Sequence, residues 1–138
     1  MILIVVVDDK NGMTFNHRRQ SRDSVLREHI LALTKNSRLW MNHYTYQQFS
    51  GSDAAQMKVD ESFLEKADAG DYCFVENVPV DSCEKYVEKI IKFKWNREYP
   101  ADFYFGIDVT LPVWKMIETE EFAGSSHEKI TKEVYIRG

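Results

Sequence analysis

At 138 residues, with 43% apolar and 13% aromatic side chains, the chain can fill one hydrophobic core and is too short for two ordinary domains. No apolar run approaches the roughly 18 residues that a membrane-spanning helix requires, which excludes such a segment from the expectation. The net charge of -4 argues against a dedicated DNA binder, yet it hides a polarity: residues 10–38 hold seven basic and two acidic side chains, residues 53–88 ten acidic and three basic.

Ile2–Val7 is an unbroken aliphatic run with no basic leader before it and no small-residue cleavage site after it. That is the pattern of a central strand covered on both faces in a parallel sheet, not of a signal peptide. Asp8, Asp9, Lys10, Asn11 and Gly12 supply turn chemistry, and residues 13–20 are expected as a loop. Ser21 is the expected N-cap of a first helix, with Asp23 in its first turn and Val25, Leu26, Ile30 and Leu33 at helical spacing up to about Thr34. Residues 38–41 read as a second short strand and residues 45–49 as a further helical turn. Gly51, Ser52 and Asp53 form a loop, Met57–Val59 a short strand and residues 61–66 a short helix, before Ala69, Gly70 and Asp71 turn the chain.

Residues 72–75 are a third core strand, and residues 81–85 open another helix. Residues 89–95 alternate in part, as a strand with one wet face does. After a turn at residues 99–102, the stretches 114–120 and 130–136 flank a polar segment and suit a closing antiparallel hairpin. The expected architecture is one α/β domain over residues 1–138: a central mixed, mainly parallel sheet with flanking helices and a C-terminal antiparallel pair.

Cys73 and Cys83 are too few for a disulfide framework, so reduced thiols and a cytoplasmic location are the expectation. His17, His29, His43 and His127 are scattered at spacings that assemble no metal site. Arg18, Arg19, Arg22 and Arg27 can meet phosphates of a nucleotide or nucleic acid, but a charge run of this kind is more often an exposed, solvated helix face.

The order of features resembles the dihydrofolate reductase family through nearly the whole chain. Ile2–Val7 followed by Asn11, Gly12 and Met13 resembles the family's first strand and the mobile loop after it. Asp23 resembles the acidic residue beneath the pterin ring. The run Leu39, Trp40, Met41, Asn42, His43, Tyr44, Thr45 resembles the strand-to-helix motif whose amides and arginine cradle cofactor phosphates, with Met41 and Thr45 matching outright. Tyr72, Cys73, Phe74, Val75, Glu76 and Asn77 resemble the strand that ends in a paired glycine beside the nicotinamide dinucleotide. In the closing third, Asp102 to Phe105, Trp114 to Ile117, Glu121, Phe122, Ser126, His127 and Tyr135 to Arg137 resemble the family's last segment.

The resemblance implies a hydride transferred from NADPH, and the departures fall on the groups that would hold it. Asn42, Glu76 and Asn77 place side chains where bare backbone would touch the dinucleotide, and Glu76 adds a negative charge. His43 stands where an arginine would clamp phosphate and cannot form a bidentate fork. Arg27 follows Asp23 by one turn, where an aromatic ring would face the substrate, and the stretch between Phe49 and Tyr72 is short for the adenosine end. The expectation is therefore a non-catalytic binding protein, without a cofactor, that holds a small nucleotide-like ligand or a protein partner. Its ligand cleft comprises Asn11, Met13, Met41, Asn42, His43, Tyr44, Thr45, Glu76 and Asn77. The alternative is a divergent NADPH-dependent reductase of a pterin- or flavin-like compound, with Asp23 as proton donor and residues 42–45 as a reworked phosphate loop. A weaker idea has the basic stretch on nucleic acid phosphate with Trp40, Tyr44 or Tyr46 stacked on bases.

Overall fold

The computed structural model describes residues 1–49 and 55–138, so the loop expected at Gly51, Ser52 and Asp53 lies outside the described residues. Among these residues ten strands and three short helices follow in chain order: β1 (Ile2–Val7), β2 (Gly12–Phe15), β3 (Arg18–Arg19), α1 (Ser24–Leu33), β4 (Leu39–Met41), α2 (His43–Tyr46), β5 (Met57–Val59), α3 (Phe63–Lys66), β6 (Tyr72–Phe74), β7 (Lys89–Lys94), β8 (Phe103–Tyr104), β9 (Trp114–Phe122) and β10 (Ile130–Arg137). Gln47–Phe49 and Asp81–Tyr86 are 3-10 turns. Seven strands form one sheet in the order β5-β4-β6-β1-β7-β10-β9, parallel from β5 to β7 and antiparallel at the two C-terminal strands.

The aliphatic run of β1 places it between two parallel neighbours, with Leu3 opposite Cys73 on one side and Ile90 on the other. Its side chains alternate between two cores. Leu3, Val5 and Val7 pack with Val75, Val87, Ile90, Phe105, Ile107 and Trp114 on one face, while Ile2 and Ile4 meet Leu26 and Ile30 of α1, Phe74, Phe93 and Val134 on the other. Each such side chain taken fully from water contributes about 1.5–3 kcal/mol, which is why a strand apolar on both faces takes the middle.

Four expectations are corrected. Residues 13–20 are not a loop: β2 and β3 form a hairpin that joins β8 in a second, three-stranded sheet. Phe15 pairs with Arg18 across Asn16 and His17, both left-handed at φ 51° and 64°, the conformation that a tight two-residue hairpin requires. The N-cap of α1 is Asp23, not Ser21; its backbone is extended, and its carboxylate accepts from the Val25 and Leu26 amides. Residues 81–86 wind as a 3-10 turn. Finally, β7 has no wet face: Ile90, Ile91, Lys92 and Phe93 are all buried, because β1 and β10 flank the strand and both cores close over it.

Candidate functional site

In an open α/β sheet the carboxyl ends of neighbouring parallel strands make a crevice, and here β4 and β6 deliver their following residues into one. Asn42, leaving β4, and Asn77, just past β6, meet there, with Asn42 Nδ2 donating to Asn77 Oδ1 at 2.8 Å. The other end of the Asn42 amide is also engaged: Oδ1 accepts from the Thr45 amide at 3.0 Å and caps α2. Glu61 accepts from the His43 amide at 2.8 Å. Two amides at the start of α2, where an anion would seek donors, are thus satisfied by the chain itself.

Beside this pair, Arg19 reaches across from β3 and grips Glu76 with a fork, Nε to Oε2 at 2.9 Å and Nη2 to Oε1 at 3.0 Å. Gln48 donates to the same carboxylate at 3.1 Å. The guanidinium lies over the Tyr44 ring at 4.4 Å, and the Tyr44 hydroxyl accepts from the Arg19 amide at 2.8 Å. Only 11% of the Arg19 side chain and 8% of that of Glu76 remain exposed, so the pair is a buried clasp, not a surface contact. Burial alone would lower the Arg19 pKa, but the hydrogen bonds and charge of Glu76 outweigh it and hold the guanidinium above its ordinary value.

Behind the clasp, Met13, Arg19, Arg22, Asp23, Arg27 and Glu76 surround a void of only about 20 Å³. A water needs roughly 10–15 Å³ on this measure and organic ligands occupy pockets of about 300–1,000 Å³, so the space between Asp23 and Glu76 admits a water and no aromatic ring. Gln20 is among the residues lining this void, and its buried Oε1 has no partner among the described residues.

Asp23 is fully enclosed and serves two segments at once. Besides capping α1, its carboxylate accepts from the Ser125 amide at 3.0 Å, the Ser126 amide at 2.8 Å and the Ser126 hydroxyl at 3.1 Å, which ties the tip of the β9–β10 hairpin to the helix. Burial opposes the charge, but these donors together with the Leu26 amide prevail and hold the carboxyl well below the usual range. Asp23, the proton donor of the reductase alternative, is thus held toward its ionised form by these donors. His127 completes the knot, stacked on Trp95 at 4.3 Å with Nδ1 2.9 Å from Ser126 Oγ and Nε2 2.8 Å from the Tyr99 hydroxyl. The Arg22 carbonyl is also within hydrogen-bond reach of Ser126 Oγ, so the single hydroxyl proton is shared between that carbonyl and Asp23. A proton on His127 Nδ1, donated to Ser126 Oγ, satisfies this network and leaves Nε2 to accept from Tyr99. Serine and aspartate both sit on the Nδ1 side, so the cluster lacks the geometry that activates a nucleophile.

Of the expected cleft residues, the structure joins Asn42, Tyr44, Thr45, Glu76 and Asn77 and adds Arg19 from the basic stretch. The Thr45 hydroxyl is buried without a partner among the described residues. Met13 and Met41 lie on opposite faces of the sheet, in separate cores. Asn11, left-handed at φ 63°, serves the β1–β2 turn, and its carbonyl accepts from the Phe105 amide at 2.9 Å. The His43 side chain is exposed, as are those of Arg18 and Arg22. Gln48, Glu61 and the Ser125–Ser126 latch were not foreseen, because nothing local marks which distant donor or acceptor each will meet. The Glu76–Asn77 peptide is trans.

No protein-family model matches the chain, and no curated protein matches it in sequence. A solved structure of dihydrofolate reductase from Enterococcus faecalis, complexed with NADP(H) and RAB-propyl, is similar over 99% of this chain and 95% of that one, with a TM-score of 0.72 and 11% identity. Among the described residues no helix is long and apolar enough to cross a membrane, and no group of three or more His, Cys, Asp or Glu side chains is placed to hold a metal ion. At such low identity the likeness speaks for architecture alone, and the strand order, the two cores and the closing hairpin agree with it: the chain has the dihydrofolate reductase-like fold.

Proposed function

We propose that the chain is a non-catalytic binding protein that keeps the reductase scaffold and engages a protein partner from outside the closed cleft. The observation that carries this reading is the Arg19–Glu76 clasp, which with the Asn42–Asn77 bond fills the crevice that a dinucleotide and a pterin would need. The residues present do not fit a nicotinamide dinucleotide. A carboxylate and two amide side chains stand in the crevice, and the His43 and Thr45 amides already have acceptors. Of the two ligand classes the sequence suggests, a small nucleotide-like molecule and a protein, closure favours the protein. Arg18, Arg22 and Arg27 make no salt bridge among the described residues; Arg22 and Arg27 line the void beside the clasp and Arg18 is exposed on the same strand as Arg19, positive charge that complements an acidic surface.

The test is a thermal-shift and calorimetric titration with NADPH, dihydrofolate and nucleotides, alongside absorbance at the reduced-nicotinamide band. The expected result is no shift, no heat and no NADPH consumed. A ligand at one hundred times its dissociation constant adds about 2.7 kcal/mol, so stabilisation by saturating NADPH would overturn the reading. So would turnover abolished by Asp23→Asn, which would restore the reductase alternative. On the positive side, a partner captured by the native chain is expected to be lost when Arg18, Arg22 and Arg27 are changed to glutamate.

A further inference from the structure

β9 is the last strand of the seven-stranded sheet, so one of its backbone edges has no neighbouring strand among the described residues. It runs for nine residues, buried only at Trp114 and half-buried at Phe122. A long open edge is a template for another strand unless charge, proline or brevity blunts it. Here Met116 and Ile117, 48% and 50% exposed, follow the exposed Leu111 and Val113 to make an apolar stretch at the start of that edge.

The register with β10 indicates which strand fits. Lys115 lies opposite Ile136, Glu118 opposite Val134 and Glu120 opposite Lys132. Opposite residues share a face, and positions 132, 134 and 136 alternate by two along β10, so Lys115, Glu118 and Glu120 all project from one face. The irregularity at Ile117 makes this possible, since without the extra residue Lys115 would point away from the two glutamates. One face of the edge therefore carries a cation near one end and carboxylates toward the other.

An antiparallel copy related by a twofold axis normal to the sheet sets Lys115 of each chain against Glu120 of the other, on the same face. That register also brings Val113 beside Phe122 and Met116 beside Thr119, and sets no two carboxylates opposite each other. Glu118 and Glu120 share Lys132, at 2.7 and 3.4 Å, which fixes them at the surface while leaving each about half exposed. Lys115 makes no salt bridge among the described residues and is free to complete the pair. We propose that β9 pairs antiparallel with β9 of a second copy, so that the sheet continues across a twofold axis into a homodimer.

Sedimentation velocity on the full chain over a wide dilution series tests this. The expected result is twice the chain mass when concentrated, dissociating on dilution. Lys115→Glu should weaken the dimer by roughly tenfold or more without lowering the melting temperature. Lys115→Ala and Glu120→Gln should each weaken it, and together no more than either alone. Met116→Lys with Ile117→Lys should give a folded monomer by circular dichroism. A chain that sediments as a monomer at every concentration overturns the proposal and leaves the edge to a strand of another protein. A dimer indifferent to Lys115→Glu and to the double lysine variant, or additive effects at Lys115 and Glu120, overturns it as well.

Discussion

Arg19 and Glu76 stand 57 positions apart, and their clasp is the costliest arrangement in the crevice to disturb from one side only. Glu76→Ala leaves a buried guanidinium without its partner and should destabilise the fold by about 3–5 kcal/mol in urea unfolding, whereas adding Arg19→Ala should recover part of that loss. Asp23→Ala removes a helix cap and strands the Ser125 and Ser126 amides, an expected loss of about 3 kcal/mol. Because the Asp23 pKa is lower in the folded state than in the unfolded chain, its contribution is complete above the unfolded value of about 3.9 and fades as pH falls toward the depressed folded one. Asp23→Asn should therefore flatten the acid limb of the stability profile. That Asn42, Glu76 and Asn77 follow the carboxyl ends of neighbouring strands was legible in the sequence, since the apolar runs before them mark where each strand stops. The identity of the partner that fixes Glu76 was not, because Arg19 belongs to a basic run that looks the same whether it faces solvent or a carboxylate.

Among the elements, β7 shows what periodicity leaves undetermined. Its partial alternation suits a half-wet strand, but Lys92 is only 7% exposed and no hydrogen bond or salt bridge to its amine is present among the described residues. Burial lowers the Lys92 pKa, and the nearby Glu133 offsets only part of that. Lys92→Met should stabilise the protein by about 1–2 kcal/mol at neutral pH. The advantage should shrink as pH rises through the depressed folded pKa toward the unfolded value of about 10.4, since the wild-type amine then loses the charge that burial penalises. The β2–β3 hairpin was missed for a different reason: its turn uses Asn16 and His17 in place of the Asn-Gly pair that announces such turns. Gly12 at the base of that hairpin was read for its turn chemistry, yet its position is also crowded. A Cβ there would lie 2.6 Å from Ala101 Cβ and 2.7 Å from Asp8 Oδ2, so Gly12→Ala should lower the melting temperature.

Across the whole molecule, what the sequence disclosed was a pattern of buried and exposed positions more than a set of residues, which is how 11% identity accompanies a shared architecture. The strand order cannot be read from any single stretch, since β1 pairs with β6 and β7, and the last strand closes on β7. The Asp23 knot spans about a hundred residues of chain, and its members should loosen together: in Asp23→Asn the amides of Val25, Leu26, Ser125 and Ser126 should lose hydrogen-exchange protection in step, while those of β1 and β7 keep theirs. The flat stacking of His127 on Trp95 has a photophysical consequence. Detachment of the hairpin tip would part the two rings and let water reach the buried indole, so a red shift of Trp95 emission should report the fraying of that tip.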